Sequence, residues 1–493
     1  MRELQTTGFI SEKYTDENTI YNTKLMKPGE LNSSLTYLFG KDTNMFPLLS
    51  ATEGQGLTKS ITKKEMNDTQ YTWRTMGRRK LTSKFVRVSE GGVKPGYGIR
   101  SFKVVFADSY PIYQYSITAP DNKSVYRLES DFTKVKDGFE YTLIPMTTDT
   151  THYLSTANQT AGKAWVLGAP TIAASKSIGN RSHSRTPGKL TNQFGFHRYS
   201  KPIAGNVTNK IVEIEIDLEG GGKTTKWLPF EMKDFEVERK ILNEQDLWES
   251  TYNRNEYGEI TLKDERTGEP IPRGAGVRQI LQSFGYYDTF GTSLPIKKLD
   301  NIINLIYGNR DSSAPDNIVL YTGALGKRIF HQSMMEASKV NGSSFVFEMS
   351  GTMVKPNATG LTYGNYFTQY KNIDGKVISV VETNLFNKGP IAEQQRENGD
   401  LIDGHPIYSA NMVFLDLSRS SDGEPNVQHV YEAGREYIAN IYKGMSPIPS
   451  EWGGIGANNF VATTEDVASY EVIDSGGIAI TNPTTCFWLE MSI

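Results

Sequence analysis

Apolar residues are distributed along this chain in three regimes. From residue 1 to about 60 they are sparse, with only the short patches LTYLFG and MFPLLS inside a polar run rich in Gly, Asn and Thr. So little apolar surface does not support independent folding, which predicts an arm that becomes ordered by lying on other chains. Its anchors in a neighbour's pockets are expected to be Leu35, Leu38, Phe39, Phe46 and Leu48. Further on, IVEIEIDL alternates apolar and acidic positions, the period of a half-exposed strand. The stretch 231–252, EMKDFEVERKILNEQDLWESTY, places Val237, Ile241, Trp248 and Tyr252 on one face with Phe235 and Leu242 beside it. That predicts a helix of about 33 Å at ~1.5 Å per residue. Ahead of it, 175–209 is basic, full of turn residues and without apolar periodicity, and is expected to project as a β-loop. The last third alternates the two periods. LPIKKLDNIINLIY has Ile296, Leu299, Ile303 and Leu305 near helical spacing, NIVLYT reads as a strand and 325–337 as a helix. KVISVVET reads as a buried strand, HPIYSANMVFLDLS as a longer one, EYIANIYKG follows, and IAITNPTTCFWLEMSI is expected to return as a strand to an earlier domain.

Composition refines this picture. A chain of 493 residues, 37% apolar and 22% charged, can bury a substantial core and divides into two to four domains. The 26 Tyr, 45 Gly and 21 Pro favour many short strands and turns, so the fold class is α+β and β-rich. The polar start MRELQTTGFISEKYTDENT predicts no signal peptide, and no apolar run approaches the ~20 residues of a membrane helix. The expectation is a soluble protein made in a cytosol. A single cysteine, Cys486 in TTCFWLEM, excludes intrachain disulfides and cysteine-built zinc sites.

Charge is uneven although the net is only −3. From 69 to 107 there are nine Lys or Arg against one acid, and from 150 to 212 eight against none, whereas 213–270 holds sixteen acids against eight bases. Such runs are commonly solvated faces. The alternative is complementarity between copies, in which Arg181, Arg185, Lys189, Arg198 and Lys201 of one chain meet Glu236, Glu238 or Glu244 on the helix of the next. No motif for reading DNA or RNA appears.

Three stretches imitate catalytic motifs. NIVLYTGALGKRIFHQSMMEA has the strand, Gly turn and helix of a phosphate-binding loop. Only Ala324 and Leu325 separate Gly323 from Gly326, however, and Arg328 stands where the magnesium-binding Ser or Thr belongs. In LEGGGKTT the first glycine position is Asp217, and the flanks read as strands joined by a turn. Asp474-Ser475-Gly476-Gly477 resembles a protease nucleophile loop, but the six histidines are scattered, so a Gly-rich turn before a final strand is expected. Nothing points to a carboxylate pair for glycoside hydrolysis. No catalytic residue, cofactor or metal ligand is predicted.

The order of these elements resembles major capsid proteins of tailed bacteriophages, with the fold named for the phage Hong Kong ninety-seven. Within them it is similar to the crAss-like phages of gut Bacteroidales. EMKDFEVERKILNEQDLWEST looks like their spine helix, and NIVLYTGALGKRIFHQSM like the axial-domain strand that feeds a helix. The resemblance implies an N-terminal arm at 1–60, a β-rich region at 61–165 as an inserted domain or enlarged loop, and an extended basic loop with its return strand at 166–224. It further implies a peripheral domain with the spine helix at 225–285, an axial domain at 286–470, and a C-terminal strand, 471–493, returning to the peripheral domain. The implied function is structural: hexamers and pentamers of this chain close an icosahedral shell around double-stranded DNA, with auxiliary and portal proteins as further partners and no membrane. The implied location is the virion, after synthesis in the host cytoplasm. The alternatives are a tail-sheath or tail-tube protein and, further away, a carbohydrate-active enzyme. In this reading Gly323 and Gly326 are structural, letting strand and helix pack closely.

Overall fold

A computed structural model of the chain describes residues 45–52, 61–77, 79–177, 184–204, 211–217, 223–310, 318–340, 345–346, 369–372, 376–419, 423–445 and 463–492. The chain divides into two compact units, Thr75–Gly188 and the remainder.

The remainder is built around a seven-stranded mixed sheet. Its order is Tyr286–Phe290, Phe487–Met491, Met412–Asp416, Ile318–Thr322, Val377–Glu382, Gln369–Asn372 and Phe345–Val346. The central strand Ile318–Thr322 is parallel to Val377–Glu382 and antiparallel to Met412–Asp416. It is buried throughout, as a strand covered on both faces must be. Alternate residues feed two cores. Ile318, Leu320, Met412 and Phe414 pack with the helices Ile296–Asn309 and Ala324–Val340. Val319, Tyr321, Val413 and Trp488 pack with Trp248 of the long helix Trp227–Glu249 and with Ile280 and Leu281 of the helix Val277–Phe284.

A second, five-stranded sheet lies under the long helix. Its spine is the 14-residue strand Val467–Ile480, flanked on one side by Gly195–Ala204 over ten residue pairs and on the other by Tyr437–Lys443 and Val427–Glu432. Thr62–Met66 extends it in parallel with Val427–Glu432.

The Thr75–Gly188 unit is a closed antiparallel β-barrel. Around the ring, Thr82–Glu90, Phe102–Phe106, Gly138–Pro145, Val125–Leu128, Tyr115–Thr118 and Ala164–Pro170 pair in turn, and the last pairs with the first. Closure leaves no free edge in the ring. The interior is aromatic: Phe85, Phe102, Phe106, Tyr126, Tyr141 and Trp165 are 0–2% exposed. Among the described residues no helix is long and apolar enough to cross a membrane.

Several expectations need correction. The expected projecting β-loop is in part sheet: Gly188–Gln193 pairs with Gln70–Thr75, and Gly195–Ala204 pairs with the long strand at the end of its sheet among the described residues. Buried polar side chains share its packing with Phe194 and Ile203, which conceals the period. Asn192 and Gln193 are 1% and 0% exposed, and their amides bond the carbonyls of Ala275, Ile478 and Arg273. The Gly-rich turn expected at 474–477 lies inside the long strand. HPIYSANMVFLDLS is not one strand, since a 3-10 turn at Ile407–Ala410 separates His405–Pro406 from Met412–Asp416. The chain end splits between both sheets, with Phe487–Met491 joining the seven-stranded one, and EYIANIYKG belongs to the five-stranded sheet. On the helices, Leu242 and Leu305 are exposed rather than on the buried face. The three-Gly turn of LEGGGKTT lies outside the described residues.

Candidate subunit-contact site

The glycine turn at 323–326 joins the central strand to the helix Ala324–Val340. Helix N-termini leave N–H groups free to bind anions. Here they are taken by the chain itself. The Ala324 N–H donates to Asn387 Oδ1 at 2.7 Å, the Leu325 N–H to Ser409 Oγ at 3.1 Å, and the Lys327 N–H to the Gly323 carbonyl at 2.9 Å. Ser409 Oγ in turn donates to Asn387 Oδ1 at 2.7 Å. A Cβ on Gly323 would stand 2.5 Å from Ser409 Oγ and 2.7 Å from Asn387 Oδ1, and one on Gly326 would collide with Thr322 Oγ1. Close approach, not positive φ, is therefore what the glycines serve. Lys327 pairs with Glu382 at 3.1 Å, away from any phosphate cradle.

The residues expected to meet across subunits fall in different environments. Arg181 and Phe39 lie outside the described residues. Arg185 donates to the Gly77 carbonyl, and Lys189 is exposed. Arg198 is already paired within the chain, its Nη2 3.3 Å from Glu471 on the neighbouring strand, and Lys201 is half-buried on the same strand as Arg198. Glu238 is exposed on the long helix. Glu236 pairs with Arg239 at 2.9 Å and accepts from the Tyr437 hydroxyl at 3.1 Å.

Glu244 is a correction. It is 0% exposed and cannot reach a neighbour's cation. Its carboxylate accepts the Leu48 and Leu49 N–H groups at 2.8 and 2.9 Å and the Trp248 indole N–H at 2.7 Å. Burial pushes its pKa up to about 7 against the pull of these three donors. The short helix Pro47–Thr52 is thereby fastened to the chain's own long helix. Leu48, expected in a foreign pocket, is 2% exposed in the chain's own core, and Phe46 lies with Lys240 Nζ 5.3 Å from its ring centre.

Beneath the long helix lies a charge network that the sequence did not disclose. His197 stands between Asp474 at 3.1 Å and Asp246 at 3.4 Å. Asp474 also takes Arg239 Nη1 at 2.5 Å and Asn243 Nδ2 at 2.7 Å, and Asp246 takes Arg273 at 2.8 Å. Burial by itself lowers the imidazole's pKa, but the two carboxylates more than offset this and hold it near 9. Both aspartates are lowered despite burial, chiefly by the His197 hydrogen bond. The only hint in sequence was Glu236 three residues before Arg239. A cavity of about 330 Å³ opens here, lined among others by Lys63, His197, Arg239, His429 and Tyr437. His429 is 8% exposed and its pKa is pushed down to about 4 by burial, with Lys63 adding to the effect.

This arrangement fastens the long helix to the strands Gly195–Ala204 and Val467–Ile480. Ser475 donates to the Arg435 carbonyl at 2.9 Å and accepts from the Glu432 N–H at 3.1 Å, so its hydroxyl serves the backbone. Among the described residues no group of three His, Cys, Asp or Glu side chains is arranged so that it could hold a metal ion.

The family model of the crassvirus major capsid protein matches residues 3–493. No curated protein matches the chain. Among solved structures, the capsid of an empty GTA particle aligns with 97% of this chain and 100% of its own at 7% identity and TM-score 0.35. A structure from Microbacterium phage Oxtober96 aligns with 95% of this chain and 97% of its own at 9% identity and TM-score 0.35. A chain of the holo-SrpI encapsulin complex from Synechococcus elongatus PCC 7942 aligns with 79% of its length to 65% of this one at 8% identity and TM-score 0.32.

Proposed function

The chain belongs to the crassvirus major capsid protein family, and from that premise we propose that its copies close as hexamers and pentamers into the icosahedral shell around the phage genome. The family match over residues 3–493 carries this reading. The role is structural, and the chain performs no catalysis. Supporting that, the Gly323 turn spends its helix N–H groups on Asn387 and Ser409, and Ser475 spends its hydroxyl on the backbone. Head-to-tail contacts whose rotation closes give rings, and rings of two sizes give a closed shell. Auxiliary and portal proteins are the further partners, and packaged double-stranded DNA meets the inner face without sequence specificity. The protein is made in the host cytoplasm and ends in the virion.

The native mass of the purified full-length chain, measured together with electron micrographs, tests the reading. Closed shells of megadalton mass are expected. Tubes would transfer the chain to a tail role, and a small stable oligomer under all assembly conditions would end the shell reading.

A further inference from the structure

Charge is divided between the two units. The barrel unit, Thr75–Gly188, carries sixteen Lys and Arg against eight Asp and Glu, while the rest of the chain carries 37 against 48. Much of the excess sits at one end of the barrel. Lys134 stands opposite Phe139, Phe139 opposite Phe106, and Phe106 opposite Phe85. Lys84 precedes Phe85, the Lys163 carbonyl accepts the Phe85 N–H, and Lys136 lies in the turn between Thr133–Val135 and Gly138–Pro145. Lys84, Lys134, Lys136 and Lys163 are exposed and make no ion pair among the described residues, unlike Lys80 and Arg87 beside them, which hold Asp108 and Asp137. Two residues before Lys134, Phe132 is 40% exposed, edge-on to Phe139 at 5.1 Å.

The other unit presents a surface of opposite character. Residues 254–270 fold back on themselves through the bridges Arg254 to Ile260 and Lys263 to Pro270. Glu256, Glu259, Glu265 and Glu269 are exposed there and make no ion pair among the described residues. Tyr257 is 86% and Leu262 57% exposed between them, an apolar area that a solvated hairpin has no reason to carry. Lys263 and Arg266 share the hairpin, as Asp108 and Asp137 share the barrel end.

We propose that the lysine-rich end of the barrel in one copy docks on the 254–270 hairpin of a second copy. Phe132 and Tyr257 supply the apolar centre, and the four lysines and four glutamates the charged rim, the division seen in protein interfaces generally. Packaged DNA is the competing occupant of the lysines. The interleaved carboxylates Asp108 and Asp137 disfavour it, because a polyphosphate is repelled by them whereas a hairpin of mixed charge is not. The proposal rests on the shell reading.

Three full-length proteins test it. The first changes Lys84, Lys134, Lys136 and Lys163 to Glu, the second changes Glu256, Glu259, Glu265 and Glu269 to Lys, and the third combines both sets. Circular dichroism and thermal unfolding establish that each is folded. Each single set is expected to lower the assembled fraction roughly tenfold, and the combined swap to restore it, since reversal on both sides recreates the attraction. Carbodiimide cross-linking of mixed isotope-labelled and unlabelled wild-type copies should join these lysines to these glutamates between chains. Normal assembly of either single set, or a combined swap that remains defective, overturns the proposal. So does assembly of the lysine variant at normal yield with loss of retained DNA. Absence of wild-type particles would instead defeat the shell reading itself.

Discussion

At the scale of single residues, two buried positions decide more than any surface charge. Gly323 admits no side chain: a Cβ there meets Ser409 and Asn387, the same atoms that cap the helix. Gly323→Val is expected to cost on the order of 1–3 kcal/mol by overpacking and lost caps. Lys327→Ala loses one half-exposed ion pair and should cost at most ~1 kcal/mol. Chemical denaturation of both proteins orders them, and equal stability would show that the turn relaxes without strain. Glu244 gives a pH effect of defined sign. Its pKa in the folded chain is raised to about 7 from an unfolded value near 4.5. Its contribution is therefore fully present below about 4.5 and is lost as pH rises through 7. Glu244→Gln removes the titration while turning its amide NH2 toward at least one of the three donors, so the variant should be destabilised more at pH 5 than at pH 8. A gap between wild type and variant that does not change with pH would exclude Glu244 as the titrating group. His197 acts on the same limb, because its raised pKa withdraws stability as pH climbs from about 6.5 to 9.

At the scale of elements, those with one clear period were legible and those stabilised by polar contacts were not. The strand Ile318–Thr322 and the helices Ile296–Asn309 and Trp227–Glu249 follow from their apolar residues. The segment 188–204 does not, since Asn192, Gln193 and His197 share its packing with Phe194 and Ile203, and the partners of these polar groups lie up to 286 residues away. Glu244 reads as a solvent-facing residue for the same reason, while it is buried. The sequence places the helix Pro47–Thr52 wholly in an arm reaching other copies, yet its Leu48 and Leu49 N–H groups donate to Glu244 and its Leu48 fills the core around Leu247 and Trp248. Two truncations separate these roles. Removal of residues 1–44 should leave the melting temperature of the monomer unchanged and reduce shell yield. Removal of 1–52 also strands a buried carboxylate and opens the core, and should lower the melting temperature, by less per kcal/mol than the roughly 2–4 °C of a 150–250-residue domain because this unit is larger. If both truncations melted alike, the short helix would have no role in the chain's own stability.

At the scale of the whole molecule, two kinds of electrostatics coexist and respond differently to salt. The Arg239, Asp474 and His197 network is largely withdrawn from water, with side chains 10%, 6% and 25% exposed. Ions screen such contacts weakly. The lysines of the barrel and the glutamates of the hairpin are exposed, and pairs between them would each be worth about 0–1 kcal/mol. A shell repeats each contact many times, so a small change per pair becomes a large change in the concentration at which particles form. Net charge works in the same direction: at −3 per chain, mutual repulsion is too weak for salt to aid assembly much by screening it. Raising ionic strength from about 0.1 to 1 M shortens the screening length from roughly 10 to 3 Å. The expected outcome is that this step raises the concentration needed for assembly while thermal unfolding of unassembled chains hardly moves. Light scattering and calorimetry on the same samples measure both. Assembly that strengthens with salt would show that apolar contacts, not the division of charge between barrel and hairpin, dominate the joining of copies.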